Sequence, residues 1–393
     1  MNAQMQRLWS LDHGIDFLNH GSFGACPGPV LDFQRGIQQR LERQPIRFFL
    51  EECEPALDQA RSALGRFLKA SPADLVFVSN ATAGVNTVLR SLPWRRGDEL
   101  LVTDHAYNAC RNALDFVAGR AGARVVTVAI PFPLRDSSEV MEPILEAVTS
   151  RTRLALLDHV TSPTALVLPI AELVRELDRR GVETLVDGAH APGMLPLDLT
   201  RLGAAYYTGN CHKWICAPKG AGFLHVRGDR QARIRPLSIS HGANSPRRDR
   251  SRFQLEFGWT GTADPSPYLC VPEAIRVMGG LVAGGWRGLM RRNRELALAA
   301  RRRLCRAVSI EPPCPESMIG SLAAIPLPDQ RGSKVSRFGL DPLNDRLWRE
   351  FRIEVPVFPW PAAPKRLLRI SAQLYNREDQ YERLARALIE LLS

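Results

Sequence analysis

Three short stretches carry residue types that could do chemistry, and their order along the chain matters. The first is Ser79-Asn80-Ala81-Thr82-Ala83-Gly84, which follows an apolar run and opens a helix marked by Val85, Val88, Leu89 and Leu92. Small residues at a helix start let an anion reach free N–H groups and the positive end of the helix dipole. The second is Asp187 in LVDGAHAPG, at the end of another apolar run. A carboxylate at the carboxyl end of a parallel strand points into the crevice where such sheets bind ligands. The third is Lys213 in YYTGNCHKWICAPKGAGFLHV, flanked by His212 and Trp214. A lysine on a polar, aromatic, partly buried turn loses its proton readily enough to be a nucleophile. Each stretch also has a plain structural reading: a Ser/Thr/Asn helix cap, a strand-end cap and a surface lysine. Asp187 and His190 could share a metal, but no third ligand is evident.

Those residues need a scaffold. Short apolar runs alternate with amphipathic segments through the first 230 residues. The pattern predicts strands at Leu75–Ser79, Glu99–Thr103, Arg124–Ile130, Arg153–Asp158, Val182–Asp187, Ala204–Thr208 and Gly220–Val226. It predicts helices at Asn108–Ala121, Glu139–Thr149 and Ile170–Arg180. Such alternation argues for an α/β fold, a mostly parallel seven-stranded sheet flanked by helices. After about Pro272 the texture changes. Helices are expected at Val271–Met278, Trp286–Val308 and Arg377–Leu392, and strands at Ser321–Pro326 and Leu367–Ser371, in a smaller α+β C-terminal domain. The expected division is an arm at 1–25, a large domain at 26–270 and the small domain at 271–393. Ser240–Phe253 (SHGANSPRRDRSRF) is polar and basic, and reads as a mobile loop.

Composition limits the partners. The chain has 393 residues, 45% hydrophobic and 24% charged, as soluble globular proteins are. No run approaches the ~18 apolar residues that span a bilayer. The N-terminus shows no basic-then-apolar leader. A cytoplasmic location and no membrane partner are expected. The net charge is +11, and it is carried by arginine, since only five lysines occur (69, 213, 219, 334 and 365). Arginine clusters at Arg247–Arg252 and Arg291–Arg303, but no nucleic-acid motif accompanies them, so no nucleic-acid partner is expected. Eight scattered cysteines form no CxxC pair. No metal site is expected, and the cysteines read as reduced, packed thiols.

Taken together, the three stretches supply in order a phosphate cup, an acid for a pyridinium nitrogen and a lysine for a Schiff base. A pyridoxal 5′-phosphate (PLP) enzyme requires those three functions. At this point the sequence resembles the class V branch of the fold-type I PLP enzymes, and within it the isopenicillin N epimerase-like group. The resemblance rests on LNHGSFG (18–24), QPIRFF (44–49), SNATAGVN (79–86), TDHAYNACRNALDF (103–116), DHVTSPTALVLPI (158–170), VDGAHAPG (186–193), GNCHKW (209–214), GWTGTAD (258–264) and LRISAQLYN (368–376).

The resemblance implies a set of roles. Lys213 would carry the cofactor and move protons at Cα. Asp187 would pair the ring nitrogen, His190 would contact the ring hydroxyl side, and His105 would stack on the ring face, with Tyr107 competing. Ala81, Thr82 and Ala83 would hold the phosphate, helped by Asn210 and His212. Gly261 and Thr262 would reach the phosphate of a neighbouring subunit, which implies a homodimer with sites at its interface. Arg369 would take the carboxylate of a small amino-acid substrate, with Asn19, His20 and Arg47 on the substrate side. Many relatives have serine where Asn210 stands and asparagine where Ser162 stands, and both changes keep a polar group. The loop VPVFPWPAAPKRLL (355–368) has no cysteine where cysteine desulfurases carry their nucleophile, so that activity is not expected. The reaction is then Cα proton removal. Epimerisation is the first expectation, and C–S β-elimination or transamination the alternatives. Epimerisation needs a second acid, for which His20, Tyr107 and Cys26 are candidates.

Overall fold

The computed structural model describes residues 3–330 and 341–392. Residues 331–340, within the proline- and glycine-rich stretch before Pro364, lie outside it. Seven strands form the central sheet: β1 (Leu75–Val78), β2 (Glu99–Thr103), β3 (Arg124–Val128), β4 (Thr152–Asp158), β5 (Glu183–Gly188), β6 (Tyr206–Asn210) and β7 (Gly222–Val226). Their order is β1-β7-β6-β5-β4-β2-β3. The pairs from β3 through β6 are all parallel, and only β7 runs against its neighbours.

The continuous apolar runs are explained by burial on both faces. Leu100, Val102, Leu154, Leu156 and Leu185 point into one core, whereas Leu101, Ala155, Leu157 and Val186 point into the other. Strand side chains alternate, so a strand covered twice must be apolar at every position. One core is closed by α3 (Ala81–Ser91) and α4 (Asn108–Ala121), the other by α1 (Gly28–Arg43), α2 (Cys53–Leu68) and α5 (Ile170–Arg179).

The C-terminal part is built on an antiparallel sheet of β8 (Leu322–Leu327), β9 (Val357–Pro359) and β10 (Arg366–Ser371), in the order β9-β10-β8. Helices α7 (Gly285–Ala307) and α8 (Glu378–Leu392) pack beside it. Two features cross the expected domain divisions. Asp16–Phe17 pairs with Ile353–Glu354, tying the N-terminal segment to the C-terminal part. Helix α6 (Val271–Gly280) packs on α1 and α2.

The stretch expected to be a mobile loop, 240–253, is instead pinned. Arg250 forms a two-pronged pair with Asp58 (2.8 and 2.5 Å), and Arg247 does the same with Glu54 (2.9 and 3.1 Å). Both acids lie on α2, so the basic residues that suggested a solvated loop are its anchors. All eight cysteines are free and buried.

Gly84 shows how closely α3 sits on the sheet. A Cβ there would lie 2.1 Å from Thr208 Oγ1 on β6. The small residue therefore serves packing as well as access to the helix end. Gly84→Ala is expected to destabilise by about 2 kcal/mol or more, because helix or strand must shift. A lowered urea midpoint with an unchanged slope would show it.

Candidate active site

The carboxyl ends of β4, β5 and β6 converge. Asp158, Asp187 and Thr208 are register partners on these adjacent strands. Asp187 is buried; its Oδ1 accepts from the Ala189 N–H (2.9 Å) and its Oδ2 from the Cys110 thiol (3.1 Å). Burial and the Asp187 charge push the Cys110 thiol up, so it stays a protonated donor. Asp158 is buried too. Burial, and then the charge of Asp187, push its carboxyl well above the usual range. Neither Asp158 nor Cys110 was singled out from sequence. Asp158 ends an apolar strand just as Asp187 does, so the same signal could have found it. Cys110 carries no such signal, because its role comes from a contact 77 residues away.

Lys213 lies on the turn after β6. Its Nζ is 3.1 Å from His190 Nε2. Burial, and then the charge of Arg369, lower the amine to about 7, with Asp187 opposing. His190 is buried and held well below its ordinary value, so it is neutral. The Trp214 indole N–H reaches His190 Nδ1 at 3.5 Å. That leaves the His190 proton on Nε2, able to donate to the lone pair of Lys213 in its deprotonated form. Covalent capture of an aldehyde at Lys213 needs this free amine. Its rate is expected to rise about tenfold per pH unit below pH ~7 and to level above it, where an ordinary lysine would keep gaining up to about pH 10.4. Stopped-flow absorbance of apo-protein mixed with pyridoxal phosphate checks this.

At the start of α3, Asn80 acts as the cap, its Oδ1 accepting from Ala83 N–H (2.9 Å). Ala81 N–H donates to Asn210 Oδ1 (2.8 Å). Two of the three expected phosphate donors therefore already have side-chain acceptors. Thr82 is half-buried and offers a first-turn N–H that has no i−4 carbonyl, while its hydroxyl bonds to the Cys110 sulfur. Asn210, with its carbonyl engaged, has its amide N–H groups to turn outward. His212 stands 2.9 Å from the Ala221 carbonyl through Nδ1, and burial lowers it to about 4.

Arg369 sits on β10 and is buried. Its Nη1 donates to the Ser162 carbonyl (2.6 Å) and hydroxyl (3.0 Å), and its Nη2 to the Ser22 hydroxyl (3.0 Å). Its buried Nε has no partner. Burial lowers it only to about 10, so it stays charged. Asn19 accepts from Ser22 Oγ (2.6 Å) and so stands behind that contact. Ser22 and Ser162 were not picked out as binding residues. Both acquire their place from pairing across 347 and 207 residues.

Other expected residues are placed differently. His105 is 1% exposed; Nδ1 meets Thr164 Oγ1 (2.8 Å), and Nε2 meets the Ile130 carbonyl (3.0 Å). Trp360 and Phe132 stand edge-on to it, at 4.7 and 6.3 Å. Its ring is thus enclosed, while Tyr107 is 46% exposed and near enough to act on Arg369. His20 is fully buried behind Lys213 rather than along the substrate side. Arg47 is exposed and pairs with Glu51 on its own helix (2.9 Å). Gly261 and Thr262 are exposed. Gly261 lines a cavity of ≈ 110 Å³ with Phe49, Phe77 and Trp259, and that cavity includes neither Lys213 nor Arg369.

Two solved structures share the architecture. One is described as the complex between the cystine C–S lyase C-DES and its reaction product cysteine persulfide (TM-score 0.78, 23% identity, 96% of this chain and 98% of that one). The other is the cysteine desulfurase CsdA from Escherichia coli (TM-score 0.78, 19% identity, 100% and 98%). Among curated relatives, isopenicillin N epimerase from Amycolatopsis lactamdurans is 39% identical over 99% of this chain and 98% of its own length. The Streptomyces clavuligerus isopenicillin N epimerase is 37% identical over 96% and 95%. L-cysteine desulfhydrase from Arabidopsis thaliana is 30% identical over 96% and 88%. Residues 47–257 match the model of the family described as Aminotransferase class-V. That match covers more than half of the chain, and with relatives alike over nearly its whole length, the chain belongs to the class-V aminotransferase family.

Proposed function

We propose that this is a PLP-dependent enzyme that removes the Cα proton of an amino acid or amino-acid conjugate, and that epimerisation is its reaction. The observation that carries the chemistry is the pairing of an amine lowered to about 7, Lys213, with a buried guanidinium whose Nε is unpaired, Arg369. Near-full-length likeness to two isopenicillin N epimerases puts epimerisation first.

The residues fit the cofactor. A buried amine lowered to about 7, a buried carboxylate on the neighbouring strand and a helix N-terminus are the donor set it needs. Pyridoxal phosphate, when bound, supplies a ring that withdraws electrons from Cα. Lys213 would hold the cofactor covalently, and its free amine would take the Cα proton. Asp187, kept in place by Ala189 N–H and Cys110, would pair the ring nitrogen and favour its protonated form. Thr82 and Asn210 would hold the phosphate. Arg369 fixes the substrate carboxylate. His105 and His190 remain the proposed neighbours of the ring.

Epimerisation also needs a group that returns the proton from the other side of Cα. His20 and Cys26 are buried, and the His20 ring nitrogens are engaged. Tyr107 is the candidate open to the rim, and it takes that role in this reading. A C–S lyase needs no second acid, and the desulfhydrase relatives favour that as the second reading.

A homodimer belongs to the same proposal. Gly261 and Thr262 are exposed on the single chain, as are the apolar Phe23, Ile46 and Leu50. No helix among the described residues is long and apolar enough to cross a membrane, and a cytoplasmic location is part of the proposal.

The test is a screen of L- and D-amino acids and cysteine conjugates in D2O. Cα–deuterium exchange with inversion, read by NMR and chiral chromatography, is the expected outcome. Sulfide and pyruvate without inversion would move the reaction to the lyase. Absence of exchange on every compound would refute both.

A further inference from the structure

The N-terminal and C-terminal segments of the chain meet behind the reactive lysine. His20, fully buried, points Nε2 at the Lys213 carbonyl (3.0 Å) and Nδ1 at the Tyr375 hydroxyl (2.8 Å). Ala25 N–H also approaches Nδ1, at 3.3 Å. The Trp214 ring lies against the imidazole, with centroids 4.8 Å apart. Tyr375 is itself wedged between Trp9 and Phe17, at 5.2 and 6.2 Å.

The proton positions follow from the partners. A carbonyl accepts only, so Lys213 O requires a proton on Nε2. The Ala25 N–H donates only, so Nδ1 must be bare, and Tyr375 donates to it. One contact disagrees: Gln373 Nε2 lies 3.4 Å from His20 Nε2. It is longer than the carbonyl contact, and the same amide also reaches Cys216 Sγ at 3.7 Å, while that sulfur stands 3.8 Å from His20 Nε2 and can accept from it. Burial, with Lys219 and Lys213 nearby, lowers the ring to about 3, so the doubly protonated form is absent at neutral pH.

We infer that His20 is a positioning residue for Lys213: a neutral Nε2–H imidazole, oriented by Tyr375, that fixes the lysine turn from behind. The turn is also held on its other side, where Cys211 and His212 N–H donate to the Ala221 carbonyl (2.9 and 3.2 Å) and Ala217 N–H donates to the Cys211 carbonyl (3.1 Å). Cys216 N–H also donates to the Lys213 carbonyl (3.1 Å). Gly24 packs against it so closely that a Cβ would lie 2.2 Å from the His212 carbonyl. His20 thus links the N-terminal segment, the C-terminal segment and the backbone of the lysine turn, and through that backbone sets where Nζ stands relative to His190. This inference rests on the reading of Lys213 as the cofactor-bearing residue.

The test uses the two amides that mimic one imidazole nitrogen each. Glutamine reaches the Nε2 position and keeps a donor for Lys213 O; asparagine keeps only the Nδ1 side. The rate of covalent cofactor attachment at saturating pyridoxal phosphate, read as the growth of the visible band, is expected to stay within about threefold of wild type in His20→Gln. It should fall about tenfold in His20→Asn and His20→Ala, the scale of one hydrogen bond. Cofactor affinity, by fluorescence titration of apo-protein, should follow the same order. Tyr375→Phe, which leaves the carbonyl contact but frees the ring, should show the same loss in smaller measure. Melting temperatures of the apo-proteins separate positioning from folding. A merely structural role would lower them while leaving the attachment rate alike in Gln and Asn, and that result, or a wild-type rate in Tyr375→Phe, overturns the inference. If wild type itself forms no borohydride-sensitive band, or Lys213→Ala forms the same one, the reading of Lys213 fails instead.

Discussion

Lys213→Ala is expected to lose the borohydride-sensitive visible band and to lose turnover by on the order of 10⁴-fold or more, the scale seen when a covalent nucleophile is removed. Cofactor binding should weaken but persist, because the start of α3, Asn210 and Asp187 are untouched. A second expectation runs the other way. The lysine is lowered from 10.5 to about 7 in the folded protein, chiefly by burial. A cation depressed on folding costs stability. The cost is complete below the folded value, shrinks as pH rises from about 7, and is gone above about 10.5, where both states are neutral. The full displacement corresponds to at most about 5 kcal/mol, offset by about 1–2 kcal/mol of lost packing from the side-chain stem. Apo Lys213→Ala should therefore melt higher than apo wild type near pH 7. The difference should shrink or reverse toward pH 10. Calorimetry at both values decides it; a variant that melts lower near pH 7 would show that the lysine is not strained by its site.

The sheet was readable because physical constraint and sequence pattern coincide there. Strands covered on both faces must be apolar throughout, and all seven predicted strands are present. Their ends drift where pairing overrides propensity. Ala204–Thr208 was expected for β6, yet the strand runs to Asn210, because Gly209 and Asn210 pair with Phe223 and Gly222 on β7. Helices α1 and α2 stand out less in the sequence than the strands do, since each buries only a stripe and carries many polar residues. The site divides in the same way. Asp187 and Lys213 are tied to strand ends, so chain order exposes them. Ser22, Ser162 and Cys110 act through distant tertiary contacts, for which no local pattern exists. His20 shows the remaining gap. Its motif marks it as part of the site, but only the folded chain reveals that it is buried against the backbone of Lys213.

Arg369 carries the other large effect. Three of its contacts go to Ser162 and Ser22, and these hold the guanidinium plane while leaving Nε buried and unpaired. An orphaned charged donor costs free energy in the free enzyme, and a substrate carboxylate would remove that cost. Arg369→Ala is expected to lower kcat/KM by about 10²–10³, or about 3–4 kcal/mol, the worth of a desolvated two-pronged carboxylate pair. Arg369→Lys should recover little of it. An ammonium offers no planar fork, and it cannot satisfy Ser22, Ser162 and a carboxylate together. The group stays charged up to about pH 10, so this contribution should not titrate across the neutral range. The decisive comparison uses a substrate and its carboxamide. Wild type should prefer the acid strongly, whereas Arg369→Ala should treat the two alike. If the preference survives the substitution, the carboxylate is bound elsewhere, and Arg369 serves only to join Ser22 and Ser162 across the pocket.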